Sequence, residues 1–332
     1  MKTSLIALIV SFILSLVVGP LVIRVSTKLK MGQNILSYVD KHATKQGTPT
    51  MGGVMFLLAL IGAYVIFGAY KYVLASVVFG ITLECAILGF LDDYLKVRHK
   101  QNEGLKAYQK ALGQFGIAII LAFFVYRSTL VGADVVVPFS DKSFSLGIFI
   151  IPFVILVFIA VTNAVNLTDG LDGLAGGVSV AYLVSFGVVL GIHIDSLRAQ
   201  GVSVQYTQEL TTVMVITFAF AGAILAYVCF NAYPAKIFMG DTGSLAIGGF
   251  VACACSVTKL YLYMPLIGLM FVLSTLSVMI QVIYYKLTKK RVFKMAPLHH
   301  HFELSGMHET KVVAIYIVIT IMLGVICIAF NM

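Results

Sequence analysis

Apolar runs of about 20 residues recur along this chain, each long enough as a helix to cross a hydrocarbon core of about 30 Å. Their positions predict membrane-spanning helices at 4–24, 50–70, 73–91, 110–127, 147–165, 173–193, 211–230, 241–259, 264–286 and 312–330, ten in all. Gly and polar residues interrupt the pattern around 163–180 and 239–250. The first run is too long for a signal peptide, lacks a small-residue cleavage site and continues through Gly19 and Pro20 to Arg24, Lys28 and Lys30, so it reads as an anchor. Outside the long runs, 134–139 and 143–147 alternate around polar turn residues and predict a short β-hairpin.

Composition agrees with the pattern. A chain of 332 residues that is 60% hydrophobic and 11% charged, with a mean hydropathy of +1.00, is not a soluble globular domain. The expected architecture is an all-α polytopic membrane protein forming one domain over 1–332. The formal net charge of +9 is distributed unevenly. Stretches 24–49, 92–110, 231–240 and 286–311 hold seventeen Lys and Arg residues, and the alternate stretches hold only Lys2, Lys71, Arg127, Lys142, Arg198 and Lys259. Basic short loops stay cytoplasmic, so the sequence predicts a cytoplasmic basic face and two extracytoplasmic termini. The charge is then a topological signal with a weaker attraction for anionic lipid or substrate, and nucleic acid is not needed to explain it. All five cysteines fall in apolar runs, where a thiol acts as a small hydrophobe.

Carboxylates at the ends of membrane helices are costly and are kept mostly when paired or functional. Asp92 and Asp93 close the third run, with Lys96 one helical turn later and able to reach either. The segment 163–177 carries Asn163, Asn166, Asp169 and Asp172 at three-residue steps. These four converge only if the helix loosens near Gly170 and Gly173. Asp241, between Gly240 and Gly243, begins the eighth run, and an N-cap is the structural alternative to a ligand role. Asn231, Lys236 and Phe238 precede it and could hydrogen-bond and stack a base. The string Pro297–Glu303 offers His299, His300 and His301 on a basic loop. Consecutive histidines point apart, which disfavours a zinc site and leaves phosphate hydrogen bonding. With Lys45 and Lys110 on the same side, the set suits phosphoryl transfer, although no Walker motif is present.

The strings TPTMGG (48–53), LDDYLK (91–96), NAVNLTDGLDGLAGG (163–177), FMGDTGS (238–244) and PLHHHFE (297–303), in this order among ten spans, resemble the phospho-N-acetylmuramoyl-pentapeptide transferase family. The likeness covers nearly the whole chain. It implies transfer of phospho-MurNAc-pentapeptide from its UDP carrier to undecaprenyl phosphate, giving lipid I and UMP, with Mg²⁺, in a bacterial inner membrane and as a homodimer. The roles it implies are Asp92 and Asp93 at the reacting phosphates, Asp241 as the main Mg²⁺ ligand, and Lys45, Lys96 and Lys110 for phosphates or donor. It further implies that Asn166, Asp169, Gly170 and Asp172 line the nucleotide cleft, with Asp172, Asn231 and Phe238 near the uracil. His299, His300 and His301 fall near the nucleotide and phosphates, His300 among the catalytic set.

Two other functions use similar residues. A sister enzyme moving HexNAc-1-phosphate from UDP to a polyprenyl phosphate would share the acidic motifs but not the PLHHHFE string. An ion-coupled transporter would use carboxylates nearer the bilayer midplane. Glu84, about two turns before Asp92, is the residue that would support it, and an interhelical hydrogen bond is its structural alternative.

Overall fold

The computed structural model describes residues 1–29, 47–99, 104–140 and 142–331, so Lys45 lies outside the described residues. In chain order the elements are α1 (Lys2–Lys28), α2 (Gly53–Ile66), α3 (Val73–His99), α4 (Ala107–Arg127), β1 (Asp134–Val136), β2 (Ser143–Ser145), α5 (Ile150–Thr168) and α6 (Leu174–Ala199). They continue as α7 (Val204–Asn231), α8 (Gly240–Val257), α9 (Tyr263–Ile267), α10 (Leu269–Thr288), α11 (Leu298–Leu304) and α12 (Glu309–Ala329). Among the described residues nine of these helices are long and apolar enough to cross a membrane, and α2, with 14 residues, is a shorter apolar helix beside them. The chain is therefore a multi-pass, all-α membrane protein with one small hairpin, in which β1 pairs antiparallel with β2 through Val135 and Phe144.

The ten predicted spans all correspond to helices, with three informative differences. The 50–70 run yields only α2, which ends just before Gly68, a residue at φ +64° where a helix cannot continue. The 264–286 run divides at Gly268, whose N–H closes α9 on the Met264 carbonyl at 2.8 Å before α10 begins. The 73–91 run continues as one helix to His99, about two turns further, which carries Asp92, Asp93 and Lys96 beyond the apolar stretch on a rigid element.

The helices are layered around α8. Its most apolar stretch is 89% buried, whereas those of α1 and α10 are 22% buried and face outward. In lipid, helices gain little from apolar contact with each other and associate where small residues allow close approach. Helix α1 shows this directly, since Ser4, Ala7, Ser11, Ser15 and Gly19 form its buried stripe while Leu5, Ile9, Val17 and Leu21 are exposed. The Ser15 hydroxyl donates to the Ala223 carbonyl of α7 at 2.9 Å. A Cβ at Gly222 would come within 2.1 Å of the Leu8 carbonyl oxygen, so only glycine lets α7 lie this close to α1.

At the opposite end of the bundle from Asp92, the Glu209 carboxylate of α7 accepts the N–H groups of Val73 and Leu74 at 3.1 and 2.8 Å. These are orphan donors at the start of α3, and a bilayer supplies no water to satisfy them. Glu84 faces outward on α3 and, among the described residues, makes no interhelical hydrogen bond. Gly222→Val should lower the thermal midpoint in mild detergent through backbone displacement costing about 1–3 kcal/mol, measurable by fluorescence-detected melting. An unchanged midpoint would mean that α1 does not rest on α7 as described.

Candidate active site

The polar end of the bundle is organised by a joint between α3 and α8. Gly89 of α3 lies against the first turn of α8, where a Cβ would fall 2.1 Å from the Asp241 carbonyl oxygen. One turn later Asp93, buried in the joint, accepts the Asp241 N–H at 3.0 Å, the Thr242 N–H at 2.9 Å and the Thr242 hydroxyl at 2.7 Å. It is an N-cap supplied by a different helix. Gly240 meets the same carboxylate at φ +70°, leaving no room for a side chain. Behind it the TPTMGG segment runs alongside 238–239. Phe238 N–H donates to the Pro49 carbonyl, and Gly52 and Gly53 donate to the Phe238 and Met239 carbonyls, at 2.8–3.1 Å.

Asp241 itself projects from this joint into a ring of donors. Its Oδ2 lies 2.7 Å from Lys96 Nζ and 3.1 Å from Lys110 Nζ, and its Oδ1 accepts from Asn166 Nδ2 at 2.6 Å. Asn166 Nδ2 also donates to the Ser244 hydroxyl at 2.8 Å. Lys96 also pairs with Asp92 at 2.5 Å and approaches Asp93 at 3.9 Å, so the one lysine serves all three carboxylates. The other Asp92 oxygen accepts the Leu105 N–H at 2.8 Å, which folds the chain at 104–106 over it. Oxygens of Asp92, Asp93 and Asp241 lie within 4.8 Å of one another. Three carboxylates against two ammonium groups leave a net negative charge in an all-oxygen site. Such a donor set fits a hard divalent cation such as Mg²⁺ and suits zinc poorly.

Lys110 and Asn166 are brought together by an amide bridge one turn deeper. The buried Gln114 donates to the Thr162 hydroxyl at 3.2 Å and accepts from Asn163 Nδ2 at 3.2 Å. Lys110 and Gln114 share one face of α4, and Asn163 and Asn166 adjacent positions of α5. Asn163 therefore turns to α4 and does not join Asn166, Asp169 and Asp172 at the cleft. The expected loosening does occur, because α5 stops at Thr168 and α6 starts at Leu174, with Gly173 at φ +78° between them.

The turn 169–173 is held on three sides. Asp172 Oδ2 accepts the Ala235 N–H at 3.0 Å and its own N–H donates to Glu309 Oε1 at 2.7 Å. Gly173 N–H donates to Asn231 Oδ1 at 2.9 Å, and Asn231 Nδ2 donates to the Ile237 carbonyl at 2.8 Å, so the Asn231 amide is buried in loop construction. Phe238 is half-buried at the edge of the same loop.

The histidines diverge, as consecutive residues on α11 must. His299 is fully buried with its Nε2 against Gly170, where a Cβ would lie 2.2 Å away, and burial, with His300 beside it, holds its pKa well below the usual imidazole value. His300 Nδ1 lies 3.2 Å from Glu303, and His301 Nδ1 accepts the Lys294 N–H at 3.2 Å. The sequence places 297–303 on a loop where the structure forms α11, and it does not single out Gly89, Gln114 or Glu309, nor Thr242, Ser244 and Glu303 within their strings. A separate polar cavity of about 150 Å³, lined by Asp134, Lys142, His193, Tyr206 and Lys259, lies beyond the far end of α8 and is remote from the carboxylates.

This arrangement has close relatives. Glycosyl transferase family 4 matches residues 74–259, the span that holds α3 to α8, and a phospho-N-acetylmuramoyl-pentapeptide-transferase signature matches residues 45–57. The chain is 43% identical to the phospho-N-acetylmuramoyl-pentapeptide-transferase of Clostridium novyi, covering 98% of this chain and 96% of the relative. It belongs to that family. Proteins of the same name from Clostridium botulinum and Thermoanaerobacter are each 44% identical, over 98% and 96% of this chain and 95% of the relative in both cases. The family signature at 45–57 includes the segment that backs the Asp241 loop, so this part of the family's sequence underlies the geometry just described.

Asp169 is half-buried at the turn, where desolvation and then the charges of Asp241, Asp93 and Asp172 raise its pKa to about 8. An unfolded Asp titrates near about 3.9. Between these values the native state binds the extra proton, so its stability is greatest below the window and falls as pH rises to about 8. Without added divalent cation, Asp169→Asn should flatten that decline in melts from pH 5 to 8. Parallel curves for both proteins would refute the raised value. Gly89→Ala should cut activity at least tenfold by displacing Asp241, and an unaltered rate in steady-state assays would contradict the close joint.

Proposed function

We propose that this chain transfers phospho-MurNAc-pentapeptide from UDP-MurNAc-pentapeptide to undecaprenyl phosphate, forming lipid I and releasing UMP at the cytoplasmic face of a bacterial inner membrane. The observation that carries the reading is the Asp241 centre, where three carboxylates, two lysines and an amide converge at one end of a membrane bundle. The names of the curated relatives supply the donor class, and the basic residues at the ends of the same helices support a cytoplasmic orientation with external termini. In this reading the whole chain is one membrane transferase domain, and two copies form a homodimer.

An oxygen of the lipid phosphate attacks the sugar-linked phosphorus, forming the new P–O bond of lipid I. The bond to the UMP phosphate breaks, and the electron pair leaves with UMP. A phosphate monoester has a second pKa of about 6 and is mostly dianionic near neutral pH, so a strong base is not required. Asp92 orients the acceptor phosphate or takes its residual proton. Repulsion between dianion and pyrophosphate is the larger barrier, and Lys96 and Lys110 lower it by neutralising the phosphate oxygens. Mg²⁺, held by Asp241 with Asp92 in reach, would supply further charge neutralisation at those oxygens. Asp93 keeps Asp241 and the start of α8 in place.

On the nucleotide side this reading assigns Asn166, Asp169, Gly170 and Asp172 to the cleft and Phe238 to the uracil edge, with the buried Asn231 shaping that edge through its bonds to Gly173 and Ile237. His300 and His301 are assigned to the phosphates, and His299 packs against Gly170. Lys45 is assigned to the donor phosphates.

Purified protein in mild detergent should release UMP from UDP-MurNAc-pentapeptide only with both undecaprenyl phosphate and Mg²⁺. Release from UDP-GlcNAc alone would reassign the chain to a HexNAc-1-phosphate transferase. Asp92→Asn, Asp93→Asn and Asp241→Asn should each reduce turnover at least a hundredfold while the protein remains folded. Near-normal turnover of the Asp241 variant would remove the metal assignment. Labelled phospho-sugar retained on protein without acceptor would replace direct attack by a covalent route.

A further inference from the structure

Glu309 is the first residue of α12, far in sequence from every acidic string, yet it is buried and its Oε1 accepts the backbone N–H of Asp172 at 2.7 Å. The N–H it takes lies in the turn between α5 and α6, outside any regular ladder, where a buried donor without an acceptor is costly. Its neighbour His308 caps α12 through Thr310 and sets its ring edge-on to Tyr233, with centroids 5.5 Å apart. The two residues at the start of α12 thus touch both halves of one wall, Glu309 the turn 169–173 and His308 the loop after α7.

Within that wall the bonds are serial. Glu309 fixes the Asp172 backbone, the Asp172 carboxylate fixes Ala235, and Gly173 and Ile237 are joined through Asn231. Phe238 closes the run with its backbone tied to Pro49 and Gly52. The wall begins at Asp169, three residues from Asn166 in the carboxylate centre, and therefore adjoins the place where a pyrophosphate would lie.

We propose that Glu309 is a positioning residue for the nucleoside end of the donor, acting through the Asp172 backbone to hold this wall in its binding shape. The inference rests on the transferase reading above and extends it to a residue outside the acidic and histidine strings. A wall kept rigid by these internal bonds, with the half-exposed ring of Phe238 at its edge, suits a nucleobase and ribose. The lipid acceptor offers only a phosphate and an apolar tail, and its binding does not depend on these groups. Because the bond needs an acceptor oxygen and not a charge, glutamine at this position preserves it.

The test compares wild type, Glu309→Ala and Glu309→Gln in detergent, by UMP-release kinetics with each substrate varied, by calorimetric binding of UMP in Mg²⁺, and by thermal midpoint. Glu309→Ala should raise the donor KM and weaken UMP binding at least tenfold, with kcat within threefold and the acceptor KM unchanged, and Glu309→Gln should restore both. An unchanged donor KM in the alanine variant overturns the proposal. So does a loss of kcat and of both KM values together with a lowered midpoint in both variants, since that marks Glu309 as a general fold element. Wild-type protein that neither binds nor releases UMP overturns the transferase reading itself, and is seen before any variant is compared.

Discussion

Asp93 accepting the first N–H groups of α8 is the contact on which the rest of the centre depends. A helix start inside a bundle presents donors that neither lipid nor water satisfies, and α8 begins in such a place. Supplying the acceptor from α3 solves that problem and, in the same step, sets where Asp241 stands, because Asp241 owns one of the capped N–H groups. The close approach at Gly89 and the bare Gly240 are the steric conditions for this bond. Asp92 and Asp93 are adjacent in sequence but differ in kind. Both are buried, but Asp92 faces the ammonium of Lys96 and the 104–106 chain, and Asp93 is taken up by the joint.

Charge placement follows from the same joint. The carboxyl end of α3 carries Lys96, and the amino end of α8 carries Asp241, so each side chain complements the partial charge of its own helix end. Lys110 arrives from the start of α4, where helix polarity does not favour a cation, and it is held there by Asp241, Asn166 and the Gln114 bridge beneath. Cations prearranged at a low-dielectric boundary stabilise developing negative charge without reorganising during the reaction. The cost of gathering five charged groups is offset by their mutual pairing.

The succession of apolar helices, the hairpin and the clustering of Asp92, Asp93, Asn166, Asp169 and Asp241 were legible in the sequence, because apolar period and the rarity of membrane carboxylates are local signals. What was not legible were the partners. Nothing near Glu209 or Glu309 in the chain announces that each satisfies backbone donors of an element over a hundred residues away. Gly89 looks like any glycine in an apolar run until α8 is laid against it. Asn163 shares its three-residue spacing with Asn166 but turns to Gln114, since a helix rotates such a pair by most of a turn and a neighbouring amide decides the rest. Helix α11 is too short to show a period, and its histidines divide among burial, Glu303 and the Lys294 backbone.

Helix α3 is tied at two points, by Glu209 at its first N–H groups and through Asp93, nearly two turns before its end, to the start of α8. The stretch between the two pins makes a strut of about 30 Å. A rod pinned at two points cannot slide along its axis without releasing one pin, so the depth of the carboxylate centre relative to the far surface is set by α3 as a spacer. The far end of α7 thereby has a mechanical hold on the reacting end of the molecule, and a perturbation at Glu209 would be transmitted as a shift in height and not as a change in charge.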